Sequence, residues 1–233
     1  MSFPALRLLA VTFAAVAASA CDDDPTNPPQ QTAMVRVINA ATGTANVAVL
    51  HGQSTTPIAT LSYRAASTCV EVPTGSQTLT FRVGNDTLAT TNFNFEANEQ
   101  YTAVIADDLP GTDEIAAVFA DDIAPTAANN ALRFINATAN AGDIHVFVPA
   151  GTTQLAVGNL SPFGTYTDPG GQHTFIHRAT DQTAVRLYDV GQTTSPRAEL
   201  TLTGVMPTSR VATVVFFDAG TPAGPTSLVA GRC

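Results

Sequence analysis

The segment Val35-Arg36-Val37-Ile38-Asn39-Ala40 returns later in the chain as Leu132-Arg133-Phe134-Ile135-Asn136-Ala137. At the same offset Val47 and Val49 meet Ile144 and Val146. A repeat constrains a fold more than composition does, because each copy must close as the same unit. Further on, Pro73-Thr74-Gly75-Ser76-Gln77-Thr78-Leu79-Thr80-Phe81-Arg82 aligns with Pro169-Gly170-Gly171-Gln172-His173-Thr174-Phe175-Ile176-His177-Arg178. Tyr101-Thr102-Ala103-Val104-Ile105 aligns with Val211-Ala212-Thr213-Val214-Val215. The body reads as two copies of one unit near the size of a sandwich domain.

Within each copy the apolar period is two. Leu79, Phe81 and Val83 fall on one side of a strand, and Thr78, Thr80 and Arg82 on the other. Val185 and Leu187 alternate with Arg186 and Tyr188, and Leu200 and Leu202 with Glu199, Thr201 and Thr203. Such alternation marks half-buried strands. Turn clusters separate them, among them Thr42-Gly43, Pro73-Thr74-Gly75, Gly84-Asn85-Asp86, Leu109-Pro110-Gly111 and Asp168-Pro169-Gly170-Gly171. The expected fold is all-β: two tandem Ig-like antiparallel β-sandwich domains. Repeat 1 is expected at 34–123 and repeat 2 at 131–233. Between them 124–130 reads as a linker, because Pro125 opposes the helix that its alanines would favour.

Ahead of the body lies an export pattern. Arg7 precedes an apolar run from Leu8 to Ala20, shorter than the roughly 20 residues of a membrane-spanning helix. The run ends in Ala18-Ser19-Ala20-Cys21. Small residues suit a signal-peptidase groove, and a thiol directly after them can carry a diacylglycerol. We read 1–20 as a lipoprotein signal peptide and Cys21 as the lipidation site. The plainer alternative is ordinary secretion with a chance Cys. Residues 21–33 read as a disordered, acidic, Pro-rich tether. Its Asp22-Asp23-Asp24 triplet resembles surface-export signals of some bacterial lipoproteins, and an Asp there also resembles an inner-membrane retention signal. A solvated spacer is the plain alternative. The implied location is the bacterial cell envelope, at the outer membrane or surface ahead of the inner membrane.

Charge excludes some partners. Charged residues are 12%, with 19 Asp and Glu against 10 basic residues, every one of them Arg. Net negative charge without a basic cluster argues against nucleic acid. Of the three cysteines, Cys69 and Cys233 remain once Cys21 is lipidated. In an oxidising compartment such a pair is expected to bond; two buried thiols are the alternative. So long a loop contributes up to about 5 kcal/mol by a chain-entropy argument.

The Arg-hydrophobic-Ile-Asn-Ala strand, the Val-x-Val strand after it and the Pro-x-Gly turn resemble the bacterial family known as domain of unknown function 4397. The resemblance covers both repeats, roughly residues 34 to 230. Members are often tandem and often exported, so it implies two copies. Where the family often continues into a Ser-Pro-Asp-Ala-Pro turn, this chain has Ala41-Thr42-Gly43 and Thr138-Ala139-Asn140. The family brings no established catalytic or binding residues.

Chemistry is sparse. There is no Gly-x-Ser-x-Gly elbow, no phosphate loop and no Lys. His173 and His177, four apart on a strand, would share a face, but no third zinc ligand is identifiable. On the repeat alignment His177 takes the place of Phe81 and His173 that of Gln77. The other two histidines are His51 and His145. Asp107, Asp108, Asp121 and Asp122 are weak calcium candidates, with solvated loop charges the plainer reading. Tyr63, Phe163 and Tyr166 are weak ligand-binding candidates as aromatics near turns.

No catalytic residue and no cofactor are expected. The leading expectation is a non-catalytic structural, adhesive or interaction module, bound to the membrane through its lipid, with envelope proteins or glycans as partners. A glycan- or peptide-binding module comes second and an enzyme of unknown type third. The sequence carries no signal for an oligomeric state.

Overall fold

Val, Ile, Thr and Phe recur at alternate positions along the body, and the chain there extends into strands. A computed structural model describes residues 30–107, 113–121, 129–138, 143–150, 153–160, 176–179, 184–192, 194–201, 211–217 and 226–233. For 129, 148–150, 153–159, 176–179 and 226–230 the description is of the backbone alone. Among the described residues there are strands and no helix. The first half carries β1 (Thr32–Ala40), β2 (Val47–His51), β3 (Ala59–Leu61), β4 (Ala65–Ala66), β5 (Val70–Pro73), β6 (Gly75–Val83), β7 (Asp86–Phe95), β8 (Gln100–Asp107) and β9 (Glu114–Ala120). The second carries β10 (Asn129–Asn136), β11 (Ile144–Ala150), β12 (Thr153–Leu160), β13 (Ile176–Ala179), β14 (Ala184–Asp189), β15 (Ala198–Thr201), β16 (Val211–Phe217) and β17 (Thr226–Gly231).

These strands form four sheets. In the first half β4-β1-β8-β9, with β5 also on β1, is one sheet and β3-β2-β6-β7 the other. In the second half the orders are β13-β10-β16-β17 and β12-β11-β14-β15. The pairing diagram is the same, with β4 and β5 together standing where β13 stands. Registers agree as well: Val35 pairs with Val70 and Tyr101, and Leu132 with Ile176 and Ala212. The β6–β7 hairpin turns on Gly84-Asn85, with Gly84 at φ +61°. A tight hairpin whose first turn position has positive φ is where a glycine costs least.

Several expectations need correction. Most neighbours are antiparallel, but β1 runs parallel to β8, and β10 to β16. Between each such pair the chain crosses to the other sheet, which supplies the long connection a parallel pair requires. The linker and tether are shorter than expected, because Asn129 and Asn130 belong to β10, and Thr32 and Ala33 to β1. The alignment of 73–82 with 169–178 fails where it is described. Ile176–Ala179 pairs with β10, so β13 corresponds to β5, and the counterpart of β6 is β14. His177 lies opposite Ala131 as Glu71 lies opposite Met34, so it does not take Phe81's place. His173 lies outside the described residues. The late strands correspond, but one residue out of the expected register: Tyr101 matches Ala212, not Val211. Short alternating strands look alike wherever they pair, and only the pairing tells which sheet they join.

The layers follow from which faces are apolar. Val35, Val37, Val49, Leu79, Phe81 and Tyr101 fill a core between the two sheets of the first half. Leu132, Phe134, Val146, Leu187 and Val214 do the same in the second. A third core lies between the halves. Ile38, Ala40, Val104, Ala106 and Phe119 meet Ile135, Ala137, Val215 and Phe217 there. The β1/β8 and β10/β16 sheets are thus covered on both faces. This explains why β8 and β16 read as nearly unbroken apolar runs and why parallel pairs are found there.

Candidate functional site

The central core has polar members where the strand period demands them. Arg36 and Arg133 share a strand face with Ile38 and Ile135, so alternation aims both at the opposite half. Arg133 is wholly buried. Its Nη1 donates to the Ala120 carbonyl at 2.9 Å and its Nη2 to the Thr213 hydroxyl at 2.8 Å. Nη2 also forms an ion pair with Asp121, which is 2% exposed and accepts from the Thr102 hydroxyl at 2.7 Å. The Phe119 ring lies 5.3 Å from the guanidinium carbon. Burial pushes the Asp121 carboxyl above its ordinary range, and Arg133, Thr102 and Arg36 pull against that.

Arg36 makes the mirrored reach. Its Nη1 donates to the Gly231 carbonyl, and register places Gly231 where Ala120 stands in the first half. The equality ends there. The residue at Asp121's place is Arg232, whose Nε donates to Gln100 at 2.9 Å. Arg36 Nη2 donates instead to Cys69 Sγ at 3.3 Å. Desolvation lowers the Arg36 pKa, with Asp121 raising it in part. Cys69 is bonded to Cys233, 164 positions further along the chain, with Cα atoms 5.6 Å apart. The expected disulfide is present, and it joins the two halves.

The asparagine of the repeated motif also has a common task. Asn39 Nδ2 donates to the Leu61 carbonyl at 3.1 Å, and its Oδ1 accepts from the Ala41 amide. Asn136 Nδ2 donates to the Leu160 carbonyl at 3.0 Å, and its Oδ1 accepts from the Thr138 amide. Each locks the end of its strand to the hairpin that follows, where buried backbone groups would otherwise lack partners.

A hollow of about 260 Å³ opens on the outer face of the first half. Leu50, Thr80 and Arg82 line it from β2 and β6, and the Gly52–Thr55 turn closes one side. A β-bulge beside Phe81 and Arg82 interrupts the β6–β7 register there. In the second half the same register holds Phe147, Arg186 and Tyr188. Phe147 and Tyr188 are buried, their rings 5.0 Å apart and edge to face.

A family model described as Domain of unknown function (DUF4397) matches residues 33–147. The match begins in β1, runs through β9 and continues into β11, so it holds the first half and the opening strands of the second. No curated protein matches the chain. The DUF4397 segment contains the hollow, Cys69, Asp121 and both repeated arginines. Its description names no activity.

The calcium and aromatic candidates come apart. Asp107 accepts from the Thr42 amide at 3.0 Å and the Thr42 hydroxyl at 2.5 Å. Asp121 is neither a solvated loop charge nor an open ligand, being committed to Arg133 and Thr102. Asp108 and Asp122 lie outside the described residues, as do Cys21, Phe163 and Tyr166. Among the described residues no three His, Cys, Asp or Glu side chains gather as metal ligands. Tyr63 packs in the central core, its ring 6.1 Å from Phe217 and 5.3 Å from the Arg64 guanidinium carbon. Arg64 holds a left-handed backbone, φ 64°, beside that contact. Sequence reasoning missed the Arg133–Asp121 pair. The one signal for it was a lone arginine in an apolar strand, which had to face solvent or find a partner.

Proposed function

We propose that this chain is a lipid-anchored protein of the bacterial cell envelope, built from two tandem Ig-like sandwiches of the DUF4397 kind. In this reading it works as a non-catalytic structural, adhesive or interaction module. The observation that carries it is the core between the halves, crossed by a buried ion pair and a disulfide. Independent binding heads need a flexible joint. A joint filled with Ile38, Val104, Ile135 and Phe217 suits a rigid spacer or one shared surface. The anchor rests on the small residues before Cys21, with the outer membrane or cell surface favoured. Partners in this reading are the membrane, through the lipid, and envelope proteins or glycans.

Intact mass of membrane-extracted protein tests the anchor. It should give a chain starting at Cys21 with a lipid increment, and Cys21→Ala should lose the lipid and keep the fold. A chain retaining Met1 ends the anchor reading. Spin labels at Thr90→Cys and Ser195→Cys, both exposed and one in each half, test rigidity. One narrow distance supports the module; a broad distribution overturns it. A second reading, a glycan-binding module, is favoured by the hollow on the first half.

A further inference from the structure

The hollow beside β6 differs from its counterpart in the second half in a way that points to a ligand. The two places share a register, yet one is filled by buried aromatic rings and the other is open. Loss of the large side chains alone would leave an apolar dent. Instead the open copy carries Arg82, Thr80, Ser54, Thr55 and Gln53 over one apolar residue, Leu50.

Arg82 is the informative member. One Nη donates to the Asn85 carbonyl at 2.9 Å, while Nε is shut away from solvent with no partner. Among the described residues no carboxylate pairs with it. Elsewhere Arg133, Arg186 and Arg197 each pair with a carboxylate, while Arg36 and Arg232 are held inside the fold by a carbonyl, a disulfide sulfur and an amide oxygen. A guanidinium offers a planar fork of donors matched to a carboxylate. The adjacent bulge breaks the regular ladder where Arg82 leaves the sheet, a place where proteins re-aim side chains.

Size and lining select within carboxylates. The hollow is smaller than the roughly 300–1,000 Å³ of pockets for drug-sized molecules, so it takes a single small ring. Hydroxyl and amide side chains around an aliphatic floor match a ring with hydroxyls on its edge and an apolar face. A peptide carboxylate would use the arginine and make no use of Thr80 or Thr55, while Ser54 already donates to the Thr56 carbonyl. We propose that this hollow is a subsite for an acidic sugar, a uronate residue whose carboxylate is held by Arg82. It rests on the second reading above and not on the rigid module. An equal response to glucose would keep that reading and overturn the acidic sugar, whereas no saturable shift with either sugar would fail both.

The test is a titration of the body, residues 30–233 with the disulfide intact, followed by backbone amide NMR. Glucuronate is the probe, with glucose and acetate as comparison arms. Glucuronate should give saturable shifts at Leu50, the Gly52–Thr55 turn, Thr80 and Arg82. Glucose and acetate should each bind at least about tenfold more weakly. Arg82→Gln should weaken glucuronate by at least about tenfold and leave the unfolding midpoint unchanged. Arg82→Lys should recover part of the loss. Arg186→Gln, which in the second half stands at the place of Thr80, should change nothing. No saturable shift, equal response to glucose, or a response to Arg82→Gln no larger than to Arg186→Gln overturns the subsite. Acetate binding as well as glucuronate overturns the sugar, leaving a bare anion contact. Should Arg82→Gln unfold the body, Thr80→Val decides: unchanged glucuronate binding overturns the proposal.

Discussion

The two halves of this molecule share one strand diagram and differ where their side chains leave it. Arg36 and Arg133 reach across the central core to matching carbonyls, Gly231 and Ala120. Only Arg133 finds a carboxylate, because the position that is Asp121 in the first half is Arg232 in the second. On the outer faces, Leu50, Thr80 and Arg82 surround a hollow where Phe147, Arg186 and Tyr188 stand in the other copy. Backbone pairing thus survives duplication while the charges and volumes diverge. Pairing is set by many main-chain bonds at once, and no single substitution removes it.

The largest expected effect breaks the arginine comparison. Arg133→Ala leaves Asp121 buried without its cation and should cost about 3–5 kcal/mol in urea unfolding. Arg36→Ala removes hydrogen bonds at a half-buried site and should cost about 1.5 kcal/mol. Equal costs would mean that the Asp121 pair adds nothing to the arm-to-carbonyl contact.

Next in size is the disulfide. Replacing Cys69 and Cys233 by Ser together should lower stability by about 2–4 kcal/mol. Unfolding should stay a single transition if the apolar core between the halves suffices to couple them. Two separated transitions would show that the bond, and not the core, makes the halves one unit.

The asparagines should behave alike. Asn39→Ala and Asn136→Ala each remove one carbonyl partner and one amide partner, and each should cost about 1–3 kcal/mol. A gap above about 1.5 kcal/mol between them would break the equivalence of the two strand ends.

The smallest effect is a pH dependence. Burial holds the folded Asp121 pKa above its ordinary 3.8. The folded state keeps a proton that the unfolded chain has released. This group's contribution is therefore full below about 3.8 and lost as pH rises through the folded value. Asp121→Asn does not titrate. The unfolding free energy of the native chain minus that of the variant should fall as pH rises above 3.8. A difference that rises with pH would mean that Arg133 outweighs burial.

Much of the fold was legible in particular residues. The Arg-hydrophobic-Ile-Asn-Ala motif located β1 and β10 in matching register, and alternation assigned Leu79 and Phe81 to a core with Thr78 and Thr80 outside. The late strands were found but slipped by one, because β8 and β16 are apolar on both faces and a shift of one leaves their pattern unchanged. β13 was assigned to the wrong sheet, since four residues of a strand carry no mark of the neighbour they will join. For the candidate site, only the lone arginines gave a signal. Asp121 looked like a loop charge, because nothing local tells a buried aspartate from a solvated one.

The sequence by itself determined that the chain is all-β and that its motif is used twice, and it made Cys69 and Cys233 the expected pair, which the structure then joined. Period, repetition and cysteine count are local or countable, and they survive without coordinates. Only the tertiary structure decided that the halves are pressed together through the β1/β8 and β10/β16 sheets. It alone decided that Arg133 and Asp121 meet in that seam, and that Arg82 stands over an open hollow while Phe147 and Tyr188 are buried at the corresponding place. Those outcomes depend on contacts between residues far apart in the chain, where burial and not sequence neighbourhood sets which charges must pair.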